Sequence, residues 1–324
     1  MSMVFNYYAF GTSDIEDILY NLKDKLSANG WTIDYDKIST EGKLAFHVTD
    51  TQCYYTIYKA PNYQNLDEDN HYHPYLIDAN TDVDSGTWYS PTLSCASSSR
   101  ASYFVITNSY CLTNSKFCVL ILEGYTYHNP DYSHCVYYFF GQLEIPNESQ
   151  QGNFLWVTPS HTNHYPGSCY YFGCAPSNQI GVYYKDTSCH PETIEPDSGT
   201  NKDDYKTFYG LYYRYVFCDE NNYGNLDSDY VYYDTSNELP GLPAQSYQFG
   251  RVYLRTLIVY HKYELSEITY IHPIAETPFY LCKYRGVEWY NKTLTYNTRK
   301  FKVYPLILID FANEFGIAFE VGNL

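Results

Sequence analysis

The stretch YSHCVYYFFGQLE, residues 132–144, sets a histidine beside a cysteine and then runs four aromatic residues together. Either the pair belongs to a Cys/His catalytic or metal site, or the stretch is one strand of a sheet that happens to carry both. Neighbouring residues of a strand point to opposite faces. His134 therefore shares a face with Val136, Tyr138 and Phe140, while Cys135 shares the other with Tyr137 and Phe139. So placed, the two cannot form the thiolate–imidazole pair that nucleophilic catalysis needs. The stretch reads as a strand, its histidine hydrogen-bonded in a core or set at a subunit contact.

Similar segments flank it on both sides. KLAFHV (43–48), CYYTIYKA (53–60), ASYFVIT (101–107), KFCVLILEGY (116–125) and GNFLWVT (152–158) are short and rich in aromatic and β-branched residues, with polar, Pro or Gly breaks between them. That pattern predicts an antiparallel meander. After Thr158 the texture changes to PSHTNHYPGSCYYFGCAPSN and DTSCHPETIEPDSGTNKDD, stretches of Gly, Pro, Ser and Asp that read as long loops or a junction. A second β series follows in YGLYYRYVFC, RVYLRTLIVYHKY, FYLCKYR and KFKVYPLILID. Nothing repeats at a period of 20–50 residues, which argues against a solenoid or propeller.

One segment has helical period. SDIEDILYNLKDKLSANGW opens with Ser13 and has Glu16 three residues on, a capping-box pattern. Ile15, Ile18, Leu19, Leu22 and Leu26 form one apolar stripe, and Asn29-Gly30 supplies a left-handed exit. The expectation is an α+β fold, mostly antiparallel β in sandwich-like sheets, with one N-terminal amphipathic helix. Its parts would be an N-terminal α+β domain (1–157), a loop-rich β segment (158–240), and a C-terminal β domain (241–324) packing with that segment.

The 324 residues suffice for a large core, and length alone suggests about two domains. Only 18% of residues are charged, and the gap is filled by 42 tyrosines, beside 17 Phe and 4 Trp. Tyrosine suits half-buried pleated surfaces and protein–protein contacts, although an AT-rich genome would also favour its codons. With 20 Lys and Arg against 37 Asp and Glu the net charge is −17, and there is no dense basic run. Nucleic acid and anionic lipid are poor partners for such a surface. No apolar segment reaches the 18 residues that read as a membrane-spanning helix, and the N-terminus has no basic leader followed by an apolar run. The ten cysteines, at 53, 95, 111, 118, 135, 169, 174, 189, 218 and 282, lack a tight repeated spacing and read mostly as buried free thiols.

Candidate chemistry has to be weighed against plainer readings. His161, His164, Cys169 and Cys174 are ligand types suited to tetrahedral zinc, but their spacing fits no zinc-finger pattern and there is no CxxC. His71 and His73 could share a strand face; loop histidines bonded to backbone are commoner. DANTDVDSG (78–86) spaces Asp78, Asn80, Asp82 and Asp84 like a calcium loop. Val83 and Tyr89 stand where an EF-hand needs Gly and Glu, so a solvated acidic turn is the plainer reading. DENNYGNLDSD (219–229) is weaker still, and Cys189-His190 has no mechanical partner nearby. There is no GxSxG, HExxH, Gly-rich phosphate loop or Walker lysine. Accidental carboxylate pairs leave a glycan hydrolase open. No catalytic residue and no cofactor is expected.

Three stretches together resemble a family of structural proteins encoded among the tail and baseplate genes of tailed bacteriophages. The first is the N-terminal helix leading into NGWTID (29–34) and a hairpin. The second is CVLILEGYTYHNPDYSHCVYYFFGQLE, with Glu123, Tyr132, His134, Phe140, Gly141, Leu143 and Glu144 in matching places, followed by QGNF (151–154). There Gln151 precedes Gly152 where the family tends to have paired glycines. The third is the closing FKVYPLILIDFANEFGIAFEV, with Gly316 in an Asn-x-Gly-x-Ala-Phe-like pattern and Tyr304 in place of the usual Phe. The family has no known enzymatic residues. The resemblance implies a virion component of the tail or baseplate that joins tube, sheath or hub proteins, in several copies around the tail axis. It would sit in the host cytoplasm before assembly. A receptor- or carbohydrate-binding protein at the tail tip is the alternative, with a glycan hydrolase second.

Overall fold

The computed structural model describes residues 3–49, 54–61, 63, 74–80, 83, 104–126, 129–144, 151–157, 181–183, 206–212, 246–249, 252–265, 268–284, 292–305 and 315–324. The chain opens with strand β1 (Asn6–Ala9) and helix α1 (Ile15–Ala28). Next come β2 (Trp31–Lys37), the short helix α2 (Ile38–Glu41), β3 (Lys43–Val48), β4 (Tyr54–Lys59) and β5 (Tyr75–Asn80). Four long strands follow: β6 (Phe104–Thr113), β7 (Phe117–Thr126), β8 (Asn129–Glu144) and β9 (Gln151–Val157). Beyond them are β10 (Gly181–Tyr183), β11 (Lys206–Tyr212), β12 (Ser246–Phe249), β13 (Val252–Leu265) and β14 (Ile268–Tyr284). The chain closes with β15 (Lys292–Tyr296), β16 (Arg299–Pro305) and β17 (Phe315–Val321).

These strands form three sheets. One is four-stranded, β2-β3-β4-β5; a second is six-stranded, β1-β6-β7-β8-β9-β10. The third is seven-stranded, β11-β13-β14-β17-β16-β15, with β12 also on β13. Every ladder within them is antiparallel, so the α+β, mostly antiparallel fold expected from the sequence is the fold observed. The loop-rich middle of the chain contributes β10 to the second sheet and β11 to the third.

The opening stretch explains the stacking. Residues 135–140 of β8 are all buried, as are residues 117–122 of β7. A strand with one face in water would alternate buried and exposed; an unbroken buried run needs cover on both faces. Val136, Tyr138 and Phe140 join Cys118, Leu120 and Leu122 in one core with α1 and the four-stranded sheet. On the other face Phe139 meets Phe279 of β14 and Phe319 of β17, with ring centroids 4.7 and 6.3 Å away. The six-stranded sheet is thus a middle layer. Burying each such ring stabilises by about 1.5–3 kcal/mol.

Helix α1 places Ile18, Leu19, Leu22 and Leu26 in the first core. Its cap is one residue later than the sequence pattern suggests. Asp14, not Ser13, accepts from the backbone N–H groups of Glu16 and Asp17 at 2.9 and 3.0 Å. A carboxylate there also meets the positive end of the helix dipole, which a hydroxyl does less well. Gly30 takes the left-handed exit at φ 86°. A second helix, α2, has four residues and is too short to show a period in the sequence.

The chain ends are stitched together. Phe5 N–H donates to the Glu320 carbonyl at 2.8 Å, and Gly322 N–H donates to the Phe5 carbonyl at 2.9 Å. The Asn323 side chain continues the pairing along β1, accepting from Tyr7 N–H and donating to the Tyr7 carbonyl. Phe5 is fully buried between Phe117 and Phe319, so this segment ties the middle sheet to the seven-stranded one.

Candidate functional site

The motif residues of β7 and β8 lie in two places, one on each face of the middle sheet. Phe140 lies on the face toward α1. It sits 5.8 Å from Trp31, 5.1 Å from Phe46 and 5.7 Å from Tyr55, ring centre to ring centre. Trp31 is anchored in turn by its indole N–H, which donates to the Asn114 carbonyl at 2.7 Å. Asn114 shapes the β6–β7 turn, its side-chain oxygen accepting from Lys116 N–H and Phe117 N–H at 2.9 and 2.8 Å. An Asx turn of this kind pre-sets the hairpin.

Gly141 lies against that turn. Its φ is 137°, and a Cβ there would fall 2.3 Å from the Lys116 carbonyl oxygen and 2.7 Å from Phe117 Cα. Only glycine lets β8 pass so close while rotating its backbone this way. The Tyr55 hydroxyl donates to the Gly141 carbonyl at 2.9 Å and accepts from Gly141 N–H at 3.2 Å. One tyrosine thereby satisfies both backbone groups of the glycine from the neighbouring sheet.

Glu123 lies on the opposite face, directly across the ladder from Cys135. Its carboxylate accepts from the Tyr110 hydroxyl at 2.7 Å and from the Asn108 amide at 3.3 Å. Tyr110 stacks on Tyr7 at 6.2 Å and meets Tyr304 at 5.2 Å, so the carboxylate buttresses the seam between middle and seven-stranded sheets. Burial and then the Glu123 hydrogen bond push the Tyr110 phenol up; burial likewise raises Tyr304. Both therefore stay neutral donors at physiological pH.

The remaining motif residues are placed by their backbone. His134 pairs with Gly124, at which a Cβ would fall 1.9 Å from the Val105 carbonyl oxygen, beside a bulge between Ile106 and Asn108. Tyr132 lies in β8; Leu143 and Glu144 pair with Gly152 and Gln151. Gly316 pairs with Cys282 and with Pro305. The side chains of Tyr132, His134, Leu143 and Glu144 lie outside the described set. So do His71, His73, His161, His164, Cys169, Cys174, Asp82, Asp84, Cys189, His190 and residues 219–229. Asp78 is described, and it fits neither the solvated acidic turn nor the calcium loop: it is a buried residue of β5 opposite Thr56, within a ladder that holds its backbone extended.

The described thiols are not set up for reaction. Cys111, Cys118 and Cys135 are buried free thiols, as the sequence suggests. Burial raises the Cys118 thiol, with the Cys111 contact adding to it; burial and then Glu123 raise Cys135. A thiol held protonated is a poor nucleophile and a poor ligand. The Cys111 and Cys118 sulfurs lie 3.7 Å apart, hydrogen-bonded thiol to thiol with no disulfide between them. His47 Nδ1 lies 2.9 Å from each Asp34 oxygen, the base–orienter half of a triad, with the ring packed on Tyr54 at 4.7 Å. Among the described residues no group of three or more His, Cys, Asp or Glu could hold a metal ion. Nor is any described helix long and apolar enough to cross a membrane.

Tyr55, Trp31, Asn114 and Tyr110 do as much here as the residues singled out by motif. Their signal in the sequence is weak: Tyr55 is one of an adjacent pair in CYYTIY, separable from Tyr54 only by strand alternation. Comparison with known proteins adds no relative: no family model, curated protein or solved structure matches the chain.

Proposed function

We propose that the chain is a non-enzymatic structural component of a tailed-bacteriophage particle, in the tail or baseplate. Several copies around the tail axis would join neighbouring tube, sheath or hub proteins. One observation carries this reading. The motif residues with described side chains are spent on architecture: Phe140 and Gly141 hold the middle sheet to the four-stranded one, and Glu123 buttresses the opposite seam. A motif maintained for chemistry would leave an acid, base or nucleophile free to meet substrate. The protonated, buried thiols suit assembly in a reducing host cytoplasm. A net charge of −17 suits a part that keeps clear of packaged DNA and meets basic neighbours.

Quantitative mass spectrometry and electron microscopy of purified particles test the proposal. The chain should appear in a constant ratio to tube and sheath proteins and survive disruption of the capsid with the tail fraction. Its complete absence from purified particles removes the proposal.

A further inference from the structure

The seven-stranded sheet ends at β15, KTLTY, which pairs with β16 from Lys292↔Val303 to Tyr296↔Arg299 without a register shift. Among the described residues nothing pairs with its other side. An edge strand presents backbone N–H and C=O groups there, a template for another strand. Proteins usually blunt such edges with a lysine, proline or bulge. Here the centre is Thr293, Leu294 and Thr295, unbulged and uncharged, with both threonines exposed and Leu294 half-buried; the lysine stands at the strand's start.

We propose that β15 pairs antiparallel with β15 of a second copy about a two-fold axis at Leu294, joining the two seven-stranded sheets into one. The strand is complementary to itself in that register. Lys292 faces Tyr296 at both ends, Thr293 faces Thr295, and Leu294 faces Leu294. Thr–Thr cross-strand pairs are favourable. The chain already uses the Lys–Tyr pair: Lys43 and Tyr58 are antiparallel partners, with the ammonium 5.9 Å from the ring centre. In this register the two Lys292 residues are four positions apart, roughly 14 Å at ~3.4 Å per residue. That exceeds the screening length of about 8 Å at physiological salt. A slip that centres the axis on Lys292 would set the two ammonium groups face to face. On β16 Arg299 is neutralised by Glu320, which limits repulsion between the two hairpins. Five residues per copy bury less than the ~1,200 Å² of a standard stable interface, so association is weak and concentration-dependent.

Sedimentation velocity of the full chain over about 1–200 μM should show a dimer growing with concentration, in line with a micromolar-range interface. Leu294→Lys and Leu294→Glu each place like charges across the axis. Each should weaken association at least about tenfold, with the melting temperature of the monomer unchanged. An equimolar mixture should restore it, because lysine then faces glutamate. Should either variant fold poorly, Leu294→Cys with oxidised glutathione supplies a second measurement: the two introduced thiols give up two protons and two electrons to the reagent. Peptide mass spectrometry should then find a disulfide joining position 294 of one copy to position 294 of the other. Wild-type protein monomeric throughout, a mixture no tighter than either variant alone, or a Leu294→Cys protein without that cross-link would overturn the proposal.

Discussion

An alanine at position 141 should disrupt the fold far more than one methyl group normally does. The added Cβ would lie 2.3 Å from the Lys116 carbonyl oxygen and 2.7 Å from Phe117 Cα, both backbone atoms. Neither can yield cheaply. The Lys116 carbonyl already accepts from Gln142 N–H at 2.8 Å, and Phe117 is fully buried in β7. Relief requires β8 to back away from the β6–β7 turn, and with it from the Tyr55 hydroxyl that serves both backbone groups of Gly141. Backbone strain at a sparsely populated φ costs about 1–3 kcal/mol. Two weakened hydrogen bonds add roughly 0.5–1.5 kcal/mol each. The expected loss is about 4 kcal/mol, a large part of the ~5–15 kcal/mol by which a folded domain is stable. The melting temperature should fall by on the order of 10 °C. Denaturant titration followed by tryptophan emission is a suitable assay, since Trp31 sits 5.8 Å from Phe140. Gly11→Ala and Gly30→Ala are the controls. Their φ values, 67° and 86°, are also positive, but a Cβ at either meets nothing within 4 Å, leaving only the ~1–2 kcal/mol of left-handed backbone. Tyr55→Phe should cost about 1–3 kcal/mol by stranding the groups it serves. If Gly141→Ala were no worse than Gly30→Ala, the close approach argued for β8 would be wrong.

Maleimide labelling read by peptide mass spectrometry should leave Cys111, Cys118 and Cys135 unmodified in native protein and modify all three in denaturant; native labelling of Cys135 would contradict its burial between sheets. Lys23 and Asp36, 2.9 Å apart, should contribute a pH-dependent increment to stability. Their hydrogen bond is the main cause both of the lowering of the Asp36 carboxyl and of the raising of the Lys23 ammonium. The increment is therefore full between the ordinary values of about 3.9 and about 10.4. It is lost as pH falls through the depressed Asp36 value or rises through the raised Lys23 value. Both groups are partly exposed, so Asp36→Asn should cost only ~0.2–1 kcal/mol at pH 7 and close to nothing in strong acid, as measured by denaturant midpoints.

Local pattern announces the strands that carry their own burial. KLAFHV matches β3 residue for residue, and the buried runs of β7 and β8 lie within KFCVLILEGY and YSHCVYYFFGQLE. Strands whose cover comes from elsewhere are harder to read. In β1, NYYA, no residue is fully buried; it is held by Cys111 and Leu112 on one side and the chain's other end on the other, more than 300 residues away in sequence. In β15, KTLTY, the partner is a hairpin strand and the outer side is open among the described residues. Three stacked layers are equally hidden. A continuous buried run says that both faces are covered, but it does not say by what, and Phe279 and Phe319 are distant in sequence from Phe139. The candidate site shows the same divide. Phe140 and Gly141 stand out as a dipeptide, whereas the Tyr55 hydroxyl that makes the glycine workable is 86 residues away.

Tyrosine abundance gains a physical reading from these contacts. Tyr55 donates to the Gly141 carbonyl, Tyr75 to that of Ile15, Tyr138 to that of Tyr75, and Tyr63 to that of Phe104. Each bond crosses between elements: β4 to β8, β5 to the start of α1, β8 to β5, and the segment after β4 to β6. The ring fills core volume as a phenylalanine would, and the hydroxyl adds a hydrogen bond to a carbonyl of another element. Each such bond contributes roughly 0.5–1.5 kcal/mol, so tyrosine suits a fold built from layers that must be tied to one another. Among the described residues these tyrosines are internal carpentry, so a tyrosine count is no measure of an exposed contact surface. In the dimer proposed above, contact with a second copy comes instead from a sheet edge, where β15 offers backbone groups and a side-chain order that its own copy can match.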